Sequence, residues 1–133
     1  MTDEQKSMRG FVVLVVDDDA DNLELAGRIV ESFGCSVLTA SSCAGALEIL
    51  DSGAHVDLVF SDVVMPESSG ITLARLARER NPGMPIVLAT GYPDAIDDVT
   101  DSGAIPLIKP YTIARLEAVF AEQLRVDNDP RSA

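Results

Sequence analysis

The segment Phe11–Val16, FVVLVV, is apolar throughout, with no polar residue between its ends. A strand with one wet face alternates, so an unbroken run of this length predicts a short strand covered on both faces. The period then changes. Leu23, Ala26, Ile29, Val30 and Phe33 recur at helical spacing, and Gly34 stands where a helix would stop. CSVLTA (35–40) reads as a second strand. SSCAGALEILDSG (41–53) reads as a helix with a serine cap, Ala46, Leu47 and Leu50 inward, and Gly53 closing it. VDLVFSD (56–62) is a third strand, and SGITLARLARERNPG (69–83) is a helix with Arg78 and Arg80 at the negative end of its dipole. MPIVLATG (84–91) and AIPLIKP (104–110) give the fourth and fifth strands. TIARLEAVFAEQLRV (112–126) is a last helix with Leu116, Val119, Phe120 and Leu124 on one stripe.

Between the last two strands lies YPDAIDDVTDSG (92–103), where only Ala95, Ile96 and Val99 offer an apolar stripe against four aspartates. A helix is expected there by rhythm, and it should be the least stable element of the chain. The polar ends, 1–10 and 126–133, are expected to be loose, which leaves one domain over 11–125. Five strands separated by helical crossovers imply a parallel sheet with right-handed connections and helices on both faces.

Composition narrows the picture. A chain of 133 residues suits one domain, and 47% hydrophobic content supports a core without staples. Trp is absent and aromatics make up 5%, so Val, Leu, Ile and Ala should build that core. The formal charge of −12 opposes a grip on nucleic acid or on anionic membrane. It suits a divalent cation or a basic partner, besides serving solubility. Cys35 and Cys43 form no CxxC pair and read as two partly buried thiols in a reducing compartment. There is no apolar leader and no run of membrane-spanning length. The chain is therefore read as a soluble cytoplasmic protein. His55, the only histidine, reads as a surface loop residue, and Met65 as packing beside Pro66.

The chemistry gathers at the strand ends. In an open parallel sheet, ligands sit beyond the carboxyl ends of the strands. The first strand ends in Asp17 and Asp18, the third in Asp62, the fourth in Thr90 and the fifth in Lys109–Pro110. Carboxylates brought this close repel unless a cation lies among them, and hard oxygen donors with open positions suit Mg²⁺. A carboxylate, a metal, a hydroxyl and an ammonium make a complete set for an acyl phosphate. The carboxylate attacks phosphorus while metal and lysine neutralise the phosphoryl oxygens. Asp62, followed by a turn-forming stretch with Pro66 and Gly70, suits the nucleophile; the adjacent Asp17 and Asp18 suit a shared cation. Asp19 reads as a carboxylate at the start of the next helix.

The ordered set VVDDD, SDVVMPESSG, LATG and IKP resembles the receiver domain of two-component response regulators, over about Phe11 to Leu124. The resemblance implies a flavodoxin-like, doubly wound five-stranded parallel sheet in strand order 2-1-3-4-5. It implies phosphorylation of Asp62 from a phosphohistidine on a histidine kinase or histidine phosphotransfer protein. Mg²⁺ would be held by Asp17, Asp18, Asp62 and the backbone carbonyl of Val64. Thr90 and Lys109 would bind the phosphoryl group and report on it, and the Lys109–Pro110 peptide is expected to be cis. Val64 and Tyr92 would flank the path of the hydrolytic water and tune the lifetime of the phosphoryl group. Signalling would run through a downstream protein, without direct nucleic-acid or membrane contact, and the domain would be a phosphoacceptor with self-catalysed transfer and hydrolysis rather than an enzyme in the ordinary sense.

One departure stands out. Many receivers carry Tyr or Phe three residues before the lysine, and this chain has Pro106, which has no ring to swing. Tyr92 and Tyr111 are the candidates to take over that role. No output domain follows Leu124, so the chain reads either as a stand-alone regulator acting by protein contact or as the C-terminal receiver of a hybrid histidine kinase. A Mg²⁺-dependent phosphatase with an aspartate nucleophile is the rival from another class. It would be expected to carry DxD on its first strand together with a cap insertion, and this chain has DDD and no long insertion.

Overall fold

Residues 8–65 and 69–124 are described by the structure, a computed structural model. Its strands are β1 (Val12–Val16), β2 (Ser36–Ala40), β3 (Leu58–Asp62), β4 (Ile86–Thr90) and β5 (Ile105–Ile108). Its helices are α1 (Ala20–Ser32), α2 (Cys43–Asp51), α3 (Gly70–Arg80), α4 (Ile96–Asp101) and α5 (Ile113–Leu124). The strands are all parallel, in the order β2-β1-β3-β4-β5. This is the expected doubly wound sheet, and the register puts Asp62 beside Ala89 and Thr90 beside Ile108.

Strand alternation divides the core in two. Val13, Val15, Leu58, Phe60, Val87, Ala89 and Leu107 point to one face and pack with Val30, Phe33, Leu116, Val119 and Phe120 of the α1 and α5 side. Leu14, Val16, Val59, Ile86 and Leu88 point to the other and meet Ala46, Leu73, Ala74, Ala77 and Val99 of α2, α3 and α4. Cys35 belongs to the first cluster and Cys43 to the second, so the sheet lies between the two thiols. Both are buried, and burial, with Asp57 adding to it, raises the Cys35 thiol to about 11.

Element ends follow local chemistry. Asp19 caps α1 by accepting from the Asn22 N–H at 3.0 Å, so the helix starts at Ala20, earlier than the apolar stripe predicts. Ser42 and Ser69 cap α2 and α3, and Thr112 accepts from the Arg115 N–H at the start of α5. The third strand begins at Leu58, and just before it the Asp57 carboxylate accepts from the Val12 N–H at 2.8 Å and pairs with His55 at 2.9 Å. His55 itself is exposed, as expected of a loop residue.

The 92–103 segment becomes a short 3₁₀ turn, Pro93–Ala95, followed by six residues of α4 with no side-chain cap. Val99 is its one buried residue. The expectation of a loose start up to Gly10 is corrected at Met8. That side chain is fully buried against the α1 and α5 face, and its N–H donates to the Phe33 carbonyl. Met1–Ser7, Pro66 and the expected loose tail 126–133 lie outside the described residues. Pro106 sits in β5, the strand at one edge of the sheet.

Candidate functional site

The carboxyl ends of β1, β3, β4 and β5 bring Asp17, Asp62, Thr90 and Lys109 to one edge of the sheet. The Lys109 ammonium donates to Asp62 Oδ2 at 2.8 Å, and the other oxygen, Oδ1, accepts from the Val64 N–H at 3.2 Å. Burial works against the Lys109 charge, but the hydrogen bond and charge of Asp62, with Asp17 behind it, outweigh burial and raise its pKa. The Asp17 pKa is also raised. Burial is the main cause, the Asp19 N–H bonded to its Oδ1 at 2.9 Å opposes it, and Asp62 and Asp18 add repulsion.

Asp18 is exposed and Asp17 half-buried, so the pair reaches from the sheet to solvent. Among the described residues, no three carboxylate, histidine or thiol side chains are gathered closely enough to enclose a metal ion. The hydrogen bonds explain the open arrangement, since Asp62 is turned to Lys109 and Val64 while Asp17 folds back on the Asp19 amide.

Thr90 is 1% exposed, and its hydroxyl is engaged locally. It accepts from the Tyr92 N–H at 3.0 Å and donates to the Tyr92 carbonyl at 3.4 Å. The Val64 and Tyr92 side chains, both expected to flank the site, are 56% and 65% exposed. The Lys109–Pro110 peptide is cis.

Two further residues support Asp62: Gly70, expected only as part of the turn after it, and Ser61, for which no role was expected. Gly70 opens α3, and its N–H donates to the Val63 carbonyl at 2.7 Å. A side chain there would run into the Asp62 carbonyl oxygen, so the bare backbone lets α3 start against the residue it supports. Its signal in the sequence was the turn-forming stretch that ends in Gly70. Ser61, 2% exposed, donates to the Asp62 carbonyl at 2.9 Å and had no legible signal. Tyr111, half-buried, packs edge-on against Phe60 at 6.1 Å between ring centres. Beside it lies a cavity of about 520 Å³, lined among others by Leu25, Ile29, Phe60 and Asp62.

The sequence model of the response regulator receiver domain family matches residues 13–121. Among curated proteins, the chain is 34% identical over 122 residues to the sensor kinase CckA of Brucella abortus, covering 88% of this chain and 13% of that protein. It is 41% identical over 87 residues to the transcriptional regulatory protein GlrR of Escherichia coli, covering 63% of this chain and 19% of the relative. The chain thus spans a fifth or less of the length of these relatives. Among solved structures, a response regulator receiver domain protein from Clostridium thermocellum superposes with a TM-score of 0.82 at 29% identity, over 86% of this chain and 94% of that one. A response regulator from Thermotoga maritima, solved in complex with Mg²⁺ and beryllofluoride, gives a TM-score of 0.78 at 28% identity over 85% and 98%.

Proposed function

Because the chain belongs to the response regulator receiver domain family of two-component signal transduction, we propose that Asp62 is its phosphoacceptor and that a phosphohistidine of a histidine kinase or phosphotransfer protein is the donor. The observation that carries this reading is the Lys109–Asp62 bond at 2.8 Å, set beside the charges of Asp17 and Asp18. An Asp62 carboxylate oxygen forms the new P–O bond as the P–N bond breaks, and the electron pair of that bond stays with the imidazole nitrogen. Lys109 follows the charge from the carboxylate to the phosphoryl oxygens. The Thr90 hydroxyl leaves Tyr92 to donate to the same group.

The donor set fits Mg²⁺ by its chemistry, since Asp17 feels the charges of Asp62 and Asp18 and a hard divalent cation relieves that repulsion. Asp17, Asp18, Asp62 and the Val64 carbonyl would hold the ion, which supplies neutralising charge for the phosphoryl oxygens when bound. The Mg²⁺–beryllofluoride complex of the Thermotoga maritima relative supports the same reading. The acidic charge of −12 favours protein partners over direct contact with nucleic acid or membrane. Among the described residues, no helix is long and apolar enough to cross a membrane, in keeping with a cytoplasmic domain.

Self-dephosphorylation is slow in this reading. Neither Val64 nor an outward-lying Tyr92 orients a water for in-line attack. Val64→Asn or Val64→Glu supplies a hydrogen-bonding group and speeds decay by about tenfold, equivalent to ~1.4 kcal/mol of barrier. Phosphoryl decay in the isolated protein with Mg²⁺ measures it, and decay within seconds in the wild type counts against the assignment of these two positions.

The central test is treatment with phosphoramidate and Mg²⁺, followed by mapping of the modified residue by mass. An acid-stable, base-labile adduct on Asp62, absent in Asp62→Asn, is the expected result. A label elsewhere overturns the assignment, and so does unchanged Mg²⁺ affinity in Asp18→Ala for the metal site.

A further inference from the structure

We propose that Tyr111 is the ring whose position reports the state of Asp62 in this chain, and that Phe60 and Phe120 carry the report to Phe33 at the far end of α1. The proposal rests on the phosphoacceptor reading of Asp62 and deepens it.

Only six aromatic side chains exist in the sequence, four Phe and two Tyr. Four of them form one unbroken edge-to-face series. Tyr111 meets Phe60 at 6.1 Å, Phe60 meets Phe120 at 5.5 Å, and Phe120 meets Phe33 at 6.0 Å, with interplanar angles between 70° and 82°. Such pairs are held by the complementary charge of ring edge and ring face, so each ring fixes the orientation of the next. One end of the series adjoins the acid site. The other end is the residue whose carbonyl receives the Met8 N–H, and Met8 is fully buried in the same cluster.

The input end is mechanically tied to Asp62. Lys109 holds Asp62 directly, and a single proline separates Lys109 from Tyr111. Proline has one backbone angle locked, so a shift that reaches the Lys109 backbone is passed on to Tyr111 with little slack. When Asp62 carries a phosphoryl group, the ammonium follows the new charge and the Tyr111 backbone moves with it. Tyr111 also has room to respond, because the cavity of about 520 Å³ lies beside it on the α1 side. A packed ring with open space beside it and one charge change nearby has the ingredients of a switch. At Pro106 no ring is present to play that part.

The test labels the protein with 3-fluorotyrosine and with ¹³C-methyl methionine. Its two tyrosine lines are assigned with Tyr92→Phe, and the Met8 methyl with Met8→Leu. Phosphoramidate and Mg²⁺ are then added, and Asp62 modification is read separately by intact mass. The expected result is displacement of the Tyr111 fluorine line and of the Met8 methyl line upon labelling. Tyr111→Leu and Phe60→Leu keep the label on Asp62 and lose the Met8 response, whereas Tyr111→Phe, which keeps the ring, retains it. A labelled Asp62 with an unmoved Tyr111 line overturns this proposal alone. A Met8 response that survives in Tyr111→Leu overturns the relay. Failure of Asp62 to label overturns the phosphoacceptor reading, and this proposal with it.

Discussion

Two helices begin beside the acid site, and they are built differently. α1 runs for 13 residues, is capped by Asp19, and lays Gly27 and Val30 against the sheet. α4 runs for six residues, has no side-chain cap, and buries only Val99. The tether of the segment to the site is a single buried hydroxyl, since Thr90 accepts from the Tyr92 N–H just before the 3₁₀ turn. A helix held by packing along its length keeps its neighbours in place. A helix that buries only one valine should yield more readily when the Thr90 hydroxyl is drawn elsewhere. The two thus differ around one carboxylate cluster, α1 capped and packed along the sheet and α4 short and lightly held beside Thr90.

The widest separation should come from deleting the same two methyl groups on each side. Val30 and Val99 are both fully buried. Val30→Ala should lower global stability by about 2–3 kcal/mol, from lost transfer energy and the cavity left behind. Val99→Ala should cost less than ~1 kcal/mol globally, because the loss is limited by the free energy at which α4 already opens by itself. Urea unfolding reads both values. Amide exchange should show α4 at least about a hundredfold less protected than α1, and equal protection would remove the contrast.

The caps give the next step down. Asp19→Ala should cost about 1 kcal/mol by exposing the Asn22 amide of α1. Tyr92 stands at the extended N-cap position of the 3₁₀ turn with no side-chain bond of its own. Tyr92→Ser should therefore slow exchange in 93–101, at a gain of no more than ~1 kcal/mol. Absence of any slowing there would show that capping is not what limits α4.

The smallest effect is electrostatic and lies at the entrance to α1. The Asp17 pKa is raised above its ordinary 3.8, so the folded state holds that proton more tightly than the unfolded chain. Stability attached to this group is therefore present at low pH and is lost as pH rises through the raised value. Asp17→Asn should stabilise the metal-free protein at neutral pH, with the gain fading as pH falls toward 3.8. Thermal melts in EDTA across that window check the sign, and addition of Mg²⁺ should reverse the order of wild type and variant.

Much of this was legible in the sequence, because a parallel sheet buries its strands completely. The uninterrupted run Phe11–Val16 and the residues that close each strand announced both the layers and the edge where chemistry gathers. That 92–103 would form only a short, lightly buried helix was also legible, from the shortage of apolar residues among its aspartates. What escaped depends on contacts distant in sequence. Met8 looked like part of a polar tail, yet it fills a space made by α1 and α5. The local bond between Thr90 and the Tyr92 backbone left no mark in the pattern, because a threonine hydroxyl serves either a turn or a ligand. Likewise, nothing in the spacing of Phe33, Phe60, Tyr111 and Phe120 says that they touch.

Pro106 has a consequence beyond the ring it lacks. The Lys109 N–H points inward to the Thr90 carbonyl, so along β5 the amides of Pro106 and Ile108 are the ones directed away from the sheet. At Pro106 there is no hydrogen to offer. A strand arriving at this border finds a single donor in four residues, too few to template a ladder. The border is thus poor ground for a further strand, and edge-to-edge growth of the sheet from that side is disfavoured.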